Sequence, residues 1–398
     1  MGLDGLKPAS LVEELQGAIE RVGELEEKLN LAVLDAYGCS SDEEVDSFIT
    51  NACKREPRTR FPFRSDDPVK SAAQIVQYQI GKMFQRWSPD PLPYSLEALS
   101  FFEWGDQPAE SKAGRDGPKI LVLDEGHPAD LVRLIEDALP AAELTSLIQA
   151  LQKPLRVHLQ HAAFSEHIEY YSASGRSAPV YWQLSTPSAG YSVWLYCNTL
   201  SLDTLYNLQR DFIEPKLAHE ERRLESLRSE FGSAPTAAER KKLSVQQLLV
   251  DEIRAFLKDV KLVAPLWKPN LNDGTVINFA PLWRLVPHNK PWQKELKATW
   301  DSLCNGEYDW AQIAMHLWPE RVVPQCANDR SYAIAHGLEN VFWVEADGGK
   351  WKPRPTLTRP IDQLVRERTS VAVKAALKEL TAASAPNGPK ARTRRPSS

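Results

Sequence analysis

Pro179-Val-Tyr-Trp-Gln-Leu-Ser185 and Tyr191-Ser-Val-Trp-Leu-Tyr-Cys197 flank the five residues Thr186-Pro-Ser-Ala-Gly190. Both arms alternate and are dense in aromatic side chains, which suit a pleated, half-buried surface. Pro and Gly mark the turn between them. The pattern predicts an antiparallel β-hairpin over about 179–197. Just upstream, Lys119-Ile-Leu-Val-Leu-Asp124 reads as a short buried strand, and 129–139 as a helix behind it. A small α/β region over 118–200 follows from these elements.

The rest of the chain reads as helix. Leu11, Leu15, Ile19, Val22, Leu25, Leu29 and Val33 recur at intervals of three and four, the stripe of an amphipathic helix. Gly38 suits the left-handed residue that ends it, and Ser40 to Glu44 offer a cap and an acidic first turn for a second helix. A third stripe runs through Ile75, Tyr78, Ile80, Met83 and Phe84, which makes 1–103 a helical segment. Residues 104–118, rich in Gly, Pro, Asp and Ser, read as an exposed connection.

Beyond the hairpin, charged helix-favouring stretches on either side of Gly232-Ser-Ala-Pro235 predict an αα-hairpin arm over 201–262. Leu217, Leu224, Leu227 and Phe231 are expected to face Leu243, Leu248, Ile253, Phe256 and Val260. A Trp-rich helical region follows over 263–345, and 346–398 reads as a linker with a disordered basic tail. The fold class expected is α+β with helices dominant.

The 398 residues carry a net charge of −5, so nucleic-acid contact has to come from local patches, not from a global field. Most of the 12 Trp fall after Ala178 and are expected to anchor the core or an interface. The five Cys (39, 53, 197, 304, 326) show no CxxC spacing, which fits free thiols in a reducing cytoplasm. No apolar run is long enough to cross a bilayer. The first residues lack a signal-peptide layout, and Leu6 stands where a myristoylation motif wants Ser or Thr.

The usual chemistry is missing from the sequence. There is no Gly-x-Gly turn for a nucleotide or S-adenosylmethionine, no nucleophile elbow, no phosphate loop and no zinc-protease helix. His158 and His161 share a helix face near His167, yet no Cys or clustered Asp completes a metal site, so solvated or partner-facing histidines are the preferred reading. Asp124-Glu-Gly-His-Pro128 could pair an acid with a base but reads better as a strand exit. Trp310, His316, Trp318 and Arg321 form a polar and aromatic cluster expected to be an interaction surface or a buried network. Pro319 is expected to separate His316 from Glu320.

Several strings taken together resemble a known family. They are Ala178 to Ser188, Tyr191 to Tyr196, Asp203 to Tyr206, Trp267 to Gly274 and Ala280 to Trp283, continuing through Gly306 to Trp310, His316 to Arg321 and Asp329 to Ala335. They resemble the C-terminal region of PglX-type adenine-specific DNA methyltransferases of BREX-like phage-exclusion systems, relatives of fused restriction–modification methylases. Leu29 to Gly38 and Ile80 to Trp87 resemble the segment that follows the methylase core there. The likeness covers roughly 25–345.

That family's Asn/Asp-Pro-Pro-aromatic motif, which holds the flipped adenine, has no counterpart here. Asp90-Pro-Leu-Pro-Tyr94 is the nearest string, and Leu92 displaces its aromatic. The resemblance therefore implies a C-terminal accessory segment without catalytic or cofactor residues of its own. S-adenosylmethionine would belong to a separate catalytic part. The partners implied are double-stranded DNA, a methylase core and other defence-system subunits, with no membrane. Arg55, Arg58, Arg60 and Arg64, and more weakly Lys241 and Lys242, are the candidate phosphate contacts. The alternative is a protein-docking module that touches no DNA.

Overall fold

The computed structural model describes residues 68–84, 86, 120–171, 179–346, 349–357 and 359–382. The helices expected at 11–36 and from Ser40, the 104–118 connection, Asp90 to Tyr94, Arg55, Arg58, Arg60, Arg64 and the tail beyond Ala382 lie outside these residues. The chain is a helix-dominated α+β protein. It divides into two compact units, the first ending at Gln183 but including Ser192–Tyr196, the second holding the hairpin turn Leu184–Tyr191 and everything from Cys197.

In the first unit, helix α1 (Pro68–Met83) is buried on every face from Ala72 to Ile80. The one-sided stripe expected from its large apolar residues missed this. Ala72, Ala73, Gln74, Gln77 and Gln79 fill the remaining faces, and Gln77 donates to the carbonyl of Ala163 at 2.7 Å.

Strand β1 (Ile120–Val122) precedes four helices: α2 (Leu131–Ala138), α3 (Ala141–Leu151), α4 (Leu155–His161) and α5 (Ala163–Tyr171). Pro140 and Pro154, which lack an N–H, stand immediately before α3 and α4 and keep the helices separate. Strands β2 (Tyr181–Ser185) and β3 (Ser192–Tyr196) complete a sheet of order β1-β3-β2. β1 pairs antiparallel with β3 in the register Ile120↔Leu195, Leu121↔Trp194 and Val122↔Val193.

Every residue of β2 and β3 is buried, so their alternation separates two covered faces, not core from solvent. Phe164 packs against both Trp182 and Trp194, while Phe84 stacks on Tyr181 at 5.4 Å. This aromatic cluster is the centre of the unit.

In the second unit, α6 (Thr204–Asn207) runs through one π turn at Leu208–Ile213 into α7 (Glu214–Phe231), and α8 (Ala237–Val263) returns antiparallel to it. Gly232, at φ 60°, ends α7, and Thr236 with Glu239 forms a reciprocal capping box at the start of α8. Leu224, Ile253, Phe256 and Val260 are buried in the seam as expected. Leu248 is not; it is 53% exposed.

The reason is helical phase. Gln246, Val250, Ile253, Leu257 and Val260 set the buried face at spacings of three and four. Leu248, two residues from Gln246, lies on the opposite side at about 100° per residue. Gln246 takes the inward place, donating to the Glu220 carboxylate at 2.6 Å.

The chain continues through α9 (Thr275–Phe279), a 3₁₀ stretch at Ala280–Leu285, α10 (Lys290–Asn305) and α11 (Gln312–Leu317). It goes on through α12 (Pro319–Asn328), α13 (Arg330–Ala335) and α14 (Glu339–Phe342). The expected break at Pro319 is present, between α11 and α12.

The stretch after Gly348 differs from the linker that was expected. Strands β4 (Trp343–Ala346) and β5 (Lys350–Pro353) form an antiparallel ribbon, followed by α15 (Ile361–Arg368) and α16 (Val371–Ala382). Val373, Ala376, Leu377 and Leu380 recur at helical spacing and are buried, and Leu364 joins a core with Val322, Val323 and Phe342. Among the described residues no helix is long and apolar enough to cross a membrane.

Candidate functional site

Polar residues between Asp273 and His336 in the second unit are engaged in a few hydrogen-bonded knots. Asp273, 4% exposed, accepts the backbone N–H groups of Gln312 (2.8 Å) and Ile313 (3.0 Å) through its two carboxylate oxygens. These are the first amides of α11, which have no partner within their own helix. Burial pushes the Asp273 carboxyl above its usual range, while the two N–H donors pull it back. Asp273→Ala should destabilise the unit by about 2 kcal/mol, a charged pair of hydrogen bonds lost at a helix start. Faster hydrogen exchange at the Gln312 and Ile313 amides would register it, and unchanged exchange there would refute it.

Asp309 and Arg321 form the second knot. The guanidinium engages the carboxylate twice, Nε to Oδ2 at 2.9 Å and Nη2 to Oδ1 at 2.7 Å. It also donates to the carbonyls of Leu303 (2.8 Å) and Cys304 (3.1 Å), at the C-terminal end of α10. Its plane lies over Trp318 at 5.4 Å. His336 hydrogen-bonds the Asp309 carbonyl at 2.7 Å, and burial holds its imidazole below the usual range. His316 lies 3.2 Å from the Pro265 carbonyl.

Of the four residues expected at an interaction surface, Arg321 and Trp318 are thus brought together, and His316 and Arg321 are turned to backbone carbonyls. Trp310 is 44% exposed, edge-on to Tyr308. Sequence reasoning missed Asp273 and His336; the only signal for Asp273 was its place just before Gly274 in a resembling string.

In the first unit the histidines are placed differently from the solvated reading. His158 is 1% exposed with Nε2 3.0 Å from Glu166, and His167 is fully buried. Both belong to helices that pack inward, and His167 is used as an internal hydrogen-bonding group, its Nε2 accepting from the Val180 and Tyr181 amides. His161 is exposed. Among the described residues no group of three potential metal ligands exists. Asp124 to Pro128 carries the chain out of β1 in a turn: Gly126 has φ 86°, and His127 Nδ1 accepts from the Ala129 amide. Asp130, 2% exposed, accepts from the Asp124 amide and pairs with Arg156 at 2.8 Å.

Lys241 and Lys242 are exposed near the tip of the arm, beside Arg240, and no described carboxylate lies within ion-pair distance of the three. One turn further along α8, Val245 and Leu248 are 61% and 53% exposed. A basic tip and an apolar patch therefore share one helix. No protein-family model matches the chain, and no curated protein matches it.

Proposed function

We propose that the chain is a DNA-engaging or scaffolding accessory segment of an adenine-specific DNA methyltransferase of a phage-defence system, acting beside a catalytic core that binds S-adenosylmethionine. The observation that carries the reading is the use made of the polar residues in the resembling strings. Asp309 and Arg321, from two of those strings, pair with each other, while Asp273, from a third, and His316 engage the backbone of Gln312, Ile313 and Pro265. Their polar groups are spent on helix ends and backbone carbonyls, the work of a scaffold. Contact with other molecules then falls to exposed groups, among them Lys241 and Lys242.

Exposed Val245 and Leu248 support a second reading, a docking module for partner subunits. Salt separates the two. A duplex held through 6–10 phosphates loses roughly 10³–10⁵ in affinity between about 50 and 200 mM salt, whereas an apolar interface hardly responds. Fluorescence anisotropy of a labelled duplex with the full chain should follow the steep dependence. A salt-insensitive complex with a methylase core, and none with DNA, would favour docking. Methyl transfer from S-adenosylmethionine by this chain alone would overturn both.

A further inference from the structure

The basic residues are unevenly distributed. Residues 349–398 hold twelve Lys and Arg against three Asp and Glu, a net +9, so the preceding 348 residues carry −14 of the total −5. Such asymmetry within one chain is the electrostatic footprint of a polyanion partner.

The fold decides which of these charges are available. In the β4–β5 ribbon the register sets Val344 opposite Lys352 and Ala346 opposite Lys350, while Trp343 and Trp351 belong to the other face. That other face is tied down: Trp343 Nε1 donates to the Cys326 carbonyl at 2.9 Å, and the Arg330 guanidinium lies 4.3 Å above the Trp351 ring. Lys350 and Lys352 are therefore presented outward, both exposed.

α15 and α16 repeat the arrangement. Leu364 buries one side of α15 and leaves Arg366 exposed, and the buried side of α16 leaves Lys374 and Lys378 exposed. No described carboxylate pairs with these five cations. Two of the three acidic groups in the segment are occupied, Glu367 by Arg359 at 2.9 Å and Glu379 by Lys258 at 3.7 Å. In sequence the segment runs on into four more basic residues and no acidic ones.

We infer that this C-terminal element, the β4–β5 ribbon with α15 and α16, is a contact surface for the phosphates of a nucleic-acid duplex. The inference rests on the DNA-engaging reading above and names a second surface for it, separate in sequence from the arm tip. A two-stranded ribbon has dimensions that a major groove admits. An anionic membrane offers the same charge but needs an apolar helix face to insert. That face of α16 is already buried, and Val371 is the one large apolar residue exposed in the described part of this segment.

The test uses the full chain and labelled duplex DNA across a salt series. The variant Lys350→Ala/Lys352→Ala/Lys374→Ala/Lys378→Ala is compared with Lys241→Ala/Lys242→Ala. All six side chains are exposed, and circular dichroism checks that both variants fold. Each lysine that meets a phosphate contributes about one unit to the slope of log affinity against log salt, so the fourfold variant should flatten it by about four. Its affinity at low salt should fall at least about tenfold, because those contacts supply the binding free energy.

Unchanged DNA binding by the fourfold variant overturns this surface and leaves the DNA-engaging reading standing. No DNA binding by the unaltered chain at low salt overturns both. Equal, lysine-dependent binding to vesicles of phosphatidylserine also overturns it, since the surface would then sense bulk negative charge.

Discussion

Arg321→Met is expected to destabilise the second unit by about 3–5 kcal/mol, the cost of leaving a buried carboxylate without its partner. Asp309 is 1% exposed, and Arg321 supplies the cation that holds it. The same substitution strips a donor from each of the Leu303 and Cys304 carbonyls, and leaves Leu303 with the longer bond from the Gly306 N–H at 3.3 Å. Met keeps most of the aliphatic length against Trp318, so the loss reports charge and hydrogen bonding more than packing.

Asp309→Asn/Arg321→Met should recover part of the loss, because a neutral amide is cheaper to bury than an unpaired charge. Gly306 adds a geometric check. Its φ is 89°, and a Cβ there would sit 3.2 Å from Arg321 Nε and 3.3 Å from Asp309 Oδ2. Denaturant titration of the three proteins decides the matter. Equal stability of Arg321→Met and the unaltered chain would show that the knot contributes nothing.

Much of the fold was legible because its signals are local. The hairpin at 179–197 follows from two aromatic runs around a Pro/Gly turn, and the arm from two long charged stretches around Gly232. What was missed depends on the surroundings. Nothing in the spacing of α1 says that its glutamines are buried, since burial on all sides is imposed by what packs against it. Leu248 looked like a seam residue until phase was set by Gln246, a polar side chain whose inward position depends on Glu220 across the arm. The short elements after Gly348 were hidden by Pro and basic residues, although Val373, Ala376, Leu377 and Leu380 carry a helical spacing.

The candidate site was less legible, for a related reason. Arg321 and Trp310 look alike in sequence as members of one polar-aromatic string. Only the turn at Gly306 brings Asp309 under Arg321 and leaves Trp310 outside. Asp273 and His336 act on residues 39 and 27 positions away, respectively, so no local pattern could have paired them. The charge asymmetry of the last 50 residues was there to be counted. It became informative once the ribbon register showed which lysines face outward.

Acidification from neutral pH should begin to destabilise the first unit before most carboxylates titrate, through His167. Its Nε2 accepts two backbone N–H groups, from Val180 and Tyr181, each at 3.0 Å, at the entry to β2. Accepting both requires an unprotonated Nε2. Burial, with the Arg86 guanidinium adding to it, lowers the pKa from 6.5 to about 3. The folded state therefore refuses a proton that the unfolded chain accepts.

Stability from this group is complete above pH 6.5 and is lost as pH falls from there towards about 3, where the folded protein itself protonates. The full window corresponds to about 5 kcal/mol at 1.36 kcal/mol per pH unit, of which about 2 kcal/mol is spent between about pH 6.5 and 5. His167→Gln keeps an acceptor oxygen for the two amides and cannot titrate, so its stability should be flatter across that range. His167→Leu leaves both N–H groups buried without an acceptor and should cost about 2–4 kcal/mol at every pH. Amide exchange at residues 180–185, followed at pH 7.5 and 5, separates these outcomes from unfolding elsewhere in the chain. Parallel pH dependence in the Gln variant and the unaltered protein would place the acid sensitivity on some other group.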